Sequence, residues 1–175
     1  IIVCDKEGIL DIHDKKLNSA QLNLAKNTNK NQIKGSLRDA LEDSDVFIGV
    51  SAGNIVDKDM VKRMGKDAII FALANPTPEI SREDALSAGA RIYGAGISNI
   101  PNQINNALVF PGLFKGALTH PVKQIDTQME VAACHALSAL VTDKELSDDY
   151  IIPDVFNKDV VKVIYKAIVD VKANQ

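Results

Sequence analysis

Residues 46–93, VFIGVSAGNIVDKDMVKRMGKDAIIFALANPTPEISREDALSAGARIY, decide the fold. Three short apolar runs, 46–50, 68–74 and 91–93, alternate with two helical segments. Asp57 is placed to cap the first, whose Met60, Val61 and Met64 share one face before Gly65 ends it. The methionines read as core filler. Ser81, with Asp84 three residues on, opens the second helix, and Gly89 closes it. Run 68–74 is apolar throughout, as expected of a parallel strand covered on both faces. A further apolar run, 1–4, ends in Asp5 ahead of a Lys-Glu-Gly turn. Four strands separated by helical segments, with no hairpin signal between them, predict an α/β fold with a doubly wound, mostly parallel sheet and right-handed crossovers.

Outside that stretch the pattern is helical. Residues 17–26 carry a weak helical periodicity, 27–32 read as a loop, and Ser36 with Asp39 forms a capping box for a short helix through Leu41. After Asn105 no strand follows. The run 105–118 is broken at Pro111-Gly112, which should kink or restart it. Asp126 or Thr127 caps a helix with Met129, Ala132, Ala133, Ala136, Leu137 and Leu140 at three-and-four spacing, and 158–172 is a last amphipathic helix. A length of 175 residues suits one domain, 1–175, with an α/β part at 1–104 and a helical part at 105–175.

Composition excludes several classes of function. Net charge is −3 and the basic residues are scattered among acids, so nothing draws in a nucleic-acid backbone. Apolar runs are shorter than a bilayer span and no signal peptide is visible, so no membrane partner is expected and cytoplasm is the default location. Cys4 and Cys134 lack metal-type spacing and read as buried free thiols. His13, His120 and His135 are far apart, and no Ser/His/Asp arrangement stands out. Ile1 already belongs to an apolar strand with no turn or cap before it, so the chain is expected to start inside a domain.

Chemistry concentrates at strand ends. Asp5 is an acid of the kind the second strand of a dinucleotide fold offers to ribose hydroxyls, or else simply a turn opener. Ser51-Ala52-Gly53-Asn54 is a small-residue turn where N–H groups and the Ser51 hydroxyl can face a ligand, unless Gly53 only supplies an unusual φ. Asn75, held between a buried strand and Pro76, can aim an uncharged carboxamide over the sheet edge, as a 2-hydroxy acid or a nicotinamide amide requires. Asn105 and Asn106 stand at a helix start, where an anion is favoured and capping is the alternative. Gly94-Ala95-Gly96 imitates a dinucleotide fingerprint but has Asn99 where its third glycine should be.

Four words, FALANPTPEI (71–80), PNQINN (101–106), FPGLFKGAL (110–118) and LSDDYIIP (146–153), occur in an order that resembles the malic enzymes, particularly the compact bacterial type. The resemblance implies a Rossmann-like sheet lacking its first strand, followed by C-terminal helices, with the glycine fingerprint upstream of Ile1. It implies oxidation of malate by NAD or NADP and metal-assisted decarboxylation to pyruvate and CO2. The catalytic Lys and Tyr and the ligands of a Mg or Mn ion lie upstream in that family, so no catalytic residue and no metal ligand is expected in this chain. Cofactor contacts fall on Asp5, Ser51, Ala52, Gly53 and Asn75, and malate contacts on Asn75, Asn105 and Asn106. An acid at position 5 occurs with either cofactor. Ile97 and Asn99 stand where the family commonly carries Arg and Asp. A homodimer or higher oligomer is implied, and the isolated chain is expected to be inactive. The rivals are a non-catalytic dinucleotide-binding or regulatory module and another hydroxy-acid or amino-acid dehydrogenase.

Overall fold

A computed structural model describes residues 1–120 and 122–173. The chain opens with a hairpin: β1 (Cys4–Asp5) runs antiparallel to β2 (Gly8–Ile9), with Cys4 opposite Ile9 and Asp5 opposite Gly8. This corrects the expectation that the first apolar run joins the parallel sheet. The reasons are local. The Glu7 N–H donates to Asp5 Oδ1 at 2.8 Å, and Gly8 at φ +121° takes a backbone conformation closed to other residues. Helix α1 (Ser19–Asn27) follows, capped by the Asn18/Gln21 box, and α2 (Leu37–Leu41) begins where the Ser36 N–H donates to Asp39 Oδ2 at 2.6 Å.

The sheet has three parallel strands in the order β3 (Val46–Gly49), β4 (Ile69–Ala72), β5 (Ile92–Ala95). Between them lie α3 (Lys58–Lys62), whose Met60 N–H donates to Asp57 Oδ1 at 2.8 Å, and α4 (Arg82–Ser87), whose Asp84 N–H donates to Ser81 Oγ at 3.1 Å. Phe47, Ile70 and Tyr93 share one row of the register, and Gly49, Ala72 and Ala95 another. These rows point the same way and join Leu41 of α2, Val61 of α3, Met64 just after it and Ala85 of α4 in one core. The predicted parallel α/β class therefore holds.

Within the described residues of this chain the sheet is covered on one face, where coverage of both was expected. The opposite face leaves Val46, Ile48 and Val50 exposed at 45%, 62% and 78%, and Ile69 and Phe71 half-buried, because α2, α3 and α4 all pack on the first face. On that face β5 is closely covered: a Cβ on Gly94 would lie 2.8 Å from Ile104 Cδ1.

The second half is helical. A 3₁₀ turn at Asn106–Leu108 leads into α5 (Phe110–Thr119), where Pro111 sits in the first turn and so restarts the helix. Then come α6 (Thr127–Ser138), capped by Asp126, and α7 (Asp159–Ala173). Leu108, Leu113, Met129, Ala133, Val160, Ile164 and Ile168 form a second core. Here α5 crosses α7 so closely that a Cβ on Gly112 or Gly116 would lie 2.7 Å from Ile164 or Ile168. Cys134, expected to be buried, is exposed on α6, because that helix turns only one stripe inward. Cys4 is half-buried, and its thiol is pushed up first by burial and then by the Asp5 charge. Among the described residues no helix is long and apolar enough to cross a membrane.

Asn102 joins the two halves. It is buried, sits at φ 54°, donates from Nδ2 to the carbonyls of Tyr93 (3.1 Å) and Asp148 (2.8 Å), and accepts the Ile151 N–H at 2.9 Å. On the outside Arg91 meets Asp148 and Arg82 meets Asp149. Exposed pairs of this kind contribute little, so the clamp falls to the buried amide. Asn102→Ala should lower unfolding free energy by about 2–4 kcal/mol in a urea titration, since it leaves one buried and two part-buried main-chain groups without their partner. A loss below about 1 kcal/mol would show that the halves are held elsewhere.

Candidate functional site at the carboxyl edge of the sheet

The last regular rung between β3 and β4 is the Leu73 N–H donating to the Gly49 carbonyl at 2.9 Å. A parallel ladder would next send the Ser51 N–H to the Leu73 carbonyl. Instead it donates to Glu79 Oε1 at 3.0 Å, while Glu79 Oε2 accepts the Ala74 N–H at 3.0 Å. Glu79 is wholly buried, and its carboxyl fills the space where Gly49 lacks a side chain. The strands part above it. Glu79 was not among the residues singled out from sequence; the available signal was an acid set between Pro78 and Ile80 inside one of the four family words.

Beyond that point the residues read from sequence find their places. Ser51 and Ala52 are exposed, and the N–H groups of Ala52 and Gly53 have no partner among the described residues. The Ser51 N–H, expected to be free, is the one taken by Glu79. Gly53 is required for space and not for φ, since a Cβ there would lie 2.7 Å from Thr77. The turn is laced to the opposite loop by Asn54 N–H to Pro78 O and Val56 N–H to Glu79 O, both at 3.0 Å. Asn75, adjoining a cis peptide to Pro76, is exposed, and its carboxamide has no partner among the described residues.

The segment after β5 extends the same edge. Gln103 bridges Ala95 in parallel, and the Ile104 N–H donates to the Ala95 carbonyl at 2.9 Å. Because Ala95 is in register with Ala72, Asn75 and Asn105 leave one edge of the sheet two strand spacings apart, roughly 10 Å. Asn105 Oδ1 caps the 3₁₀ turn through the Ala107 N–H (2.9 Å), leaving Nδ2 to donate, and Asn106 is exposed. The anion-favouring helix start expected there is absent, because a three-residue 3₁₀ turn aligns too few peptides to make a dipole.

Asp5 is not brought to this edge by strand register. It lies in the hairpin, with Oδ1 engaged by the Glu7 N–H and Oδ2 by Gln21 Nε2 at 2.7 Å, so its carboxylate is oriented before any ligand arrives. Ile97 packs half-buried on the sheet core and Asn99 is exposed at φ 65°. Among the described residues no group of three or more His, Cys, Asp and Glu is placed to hold a metal ion.

A family model described as "Malic enzyme, NAD binding domain" matches residues 1–173. The chain is 47% identical over 169 residues to the bifunctional malic/malolactic enzyme of Bacillus subtilis, covering 96% of this chain and 41% of that protein. It is 36% identical over 185 residues to the NADP-dependent malic enzyme of Rhizobium meliloti, covering 96% of this chain and 24% of that one. Among solved structures, that of the NAD-dependent malic enzyme from Thermotoga maritima superposes with a TM-score of 0.89 at 40% identity, over 96% of this chain and 44% of that chain. The chain thus spans less than half the length of these relatives.

Tyr93 reports on the packing beneath the site. Its hydroxyl donates to the Ile80 carbonyl at 2.8 Å, and its pKa is pushed up to about 12 by burial and then by the Glu79 charge, with Arg82 opposing. A phenol that is harder to ionise when folded supports the fold fully below its unfolded value near 10, and that support is lost as pH rises toward about 12. The urea midpoint should fall across this window, and Tyr93→Phe should flatten the fall. An equally steep fall in the variant would place the alkaline transition elsewhere.

Proposed function

The chain belongs to the malic enzyme family as its NAD(P)-binding domain, and we propose that it serves the oxidative decarboxylation of malate to pyruvate and CO2 with reduction of NAD(P)+. The observation that carries this reading is that the 51–53 turn, Asn75 and Asn105 leave one edge of one parallel sheet, where β3 and β4 part. Crevices at the carboxyl ends of parallel strands are where such folds take their ligands.

In this reading the open N–H groups of Ala52 and Gly53, with the Ser51 hydroxyl, meet the dinucleotide, and the pre-oriented Asp5 carboxylate accepts from its ribose. When bound there, NAD(P)+ would supply the hydride acceptor. Asn75 offers two donors and one acceptor between cofactor and malate without adding charge. Asn105, through Nδ2, and Asn106 hold the carboxylate or hydroxyl of malate. The described residues of this chain offer no ligand set for the divalent ion that malate decarboxylation calls for, so we place its ligands in other parts of the enzyme, as the resemblance implies for the proton-transfer groups, and no step here runs through it. We read 1–175 as one domain, its sheet and helical parts joined by Asn102, within a cytoplasmic enzyme of two or more subunits.

Asn75→Ala in the complete enzyme should lower kcat/KM for malate by about 10- to 100-fold, the loss of a hydrogen bond to a charged partner, with the melting temperature nearly unchanged. An unaltered kinetic profile would reduce Asn75 to a loop residue and favour a dinucleotide-binding module without catalysis. The 175-residue chain alone should show no malate-dependent reduction of NAD(P)+ at 340 nm absorbance. Measurable turnover would place the missing chemistry inside it.

A further inference from the structure

The least economical feature of the molecule is the burial of Glu79. One N–H, that of Ser51, could have been satisfied by continuing the ladder to Leu73, with no acid taken out of water. A wholly buried carboxyl is costly unless its oxygens are well bonded, so a fold that only needed stability would close the rung and place an apolar residue at 79. What the carboxyl does, and a rung cannot, is satisfy both strands while keeping them apart.

We propose that Glu79 is a positioning residue for the reaction: its two oxygens set the backbone from which Asn75 and the 51–53 turn face substrate and cofactor. The proposal rests on the role given above to Asn75. Oε2 holds the Ala74 N–H, one peptide before Asn75, and Oε1 holds the N–H of Ser51 itself, the first residue of the turn. The Glu79 main chain repeats the link, accepting the Val56 N–H at 3.0 Å at the far end of the same loop. From the other side, Tyr93 fixes the Ile80 carbonyl. Two active loops therefore share one anchor, and Asn75, which has no partner of its own among the described residues, is aimed only through its backbone. Errors of about 1 Å in such aim cost on the order of 100-fold in rate.

The test uses the complete enzyme with Glu79→Gln, Asn75→Ala and the double variant, measuring kcat and KM for malate and for NAD(P)+ beside circular dichroism. Glutamine keeps the shape but turns one acceptor into a donor facing an N–H, so one anchor is lost. Glu79→Gln should raise KM for NAD(P)+ through the 51–53 turn and, at saturating NAD(P)+, lower kcat/KM for malate by about tenfold; under that condition the double variant should fall within about threefold of Asn75→Ala, because the malate-side change acts through Asn75. Losses that multiply in the double variant, or an unaltered Glu79→Gln enzyme, would overturn the proposal while leaving the role of Asn75 intact. A silent Asn75→Ala would remove both. If Glu79→Gln does not fold, Gly49→Ala carries the test: its new Cβ overlaps the Glu79 carboxyl group and displaces it without deleting it, and the same kinetic signature and the same non-additivity with Asn75→Ala are required.

Discussion

One carboxyl group standing in for one rung of a parallel ladder is the constraint on which the candidate site depends. Up to Gly49 and Ala72 the strands β3 and β4 are held by their own backbones. Above that they must part if a ligand is to enter, and parting leaves the Ser51 and Ala74 N–H groups, the latter buried, without a ladder partner. Glu79 resolves the conflict by accepting from both sides. The glycine at 49 makes room for it, and the glycine at 53 lets the opened turn lie against Thr77.

The same logic of close approach organises the rest of the chain. Gly94 admits the 102–104 segment beside β5, so that the strand row extends toward Asn105, and Gly112 and Gly116 admit Ile164 and Ile168 between α5 and α7. Each of these glycines marks where backbone meets a neighbour, whereas Gly8, Gly35 and Gly89 take a left-handed φ. Asn102 then ties the row to the helical half through three hydrogen bonds, two of them to main-chain groups 46 and 49 residues away. Ile97, half-buried, packs against the sheet core, so its apolar side chain has a structural outlet on this fold.

Much of the architecture was legible because its signals are local. The helix starts at Ser81 and Ser36 are read from residues three apart and the one at Asp57 from its capping side chain, and each forms as read; of the two caps open for the next long helix, Asp126 and Thr127, the structure takes Asp126. The hairpin escaped because strands of two residues carry no period, and the run before it looks like any buried strand. Full coverage of β4 was inferred from apolar content, which does not say which face the helices choose. At Asn105 the residue pattern announced a helix start, but the element that forms is a single 3₁₀ turn, and its cap uses the side-chain oxygen.

By itself the sequence determined the parallel α/β class, the helical second half, the family, and the polar residues that strand ends carry beyond the sheet. These follow from periodicity, capping chemistry and contiguous words, all written over short distances along the chain. Only the tertiary structure decided that the Ser51 amide is taken, that Glu79 and Asn102 are the buried polar anchors, and that Asn75 and Asn105 leave the same edge. Those facts depend on groups 28, 46 and 49 residues apart meeting around the buried side chains of Glu79 and Asn102, where a polar atom must find a partner and sequence order does not say which.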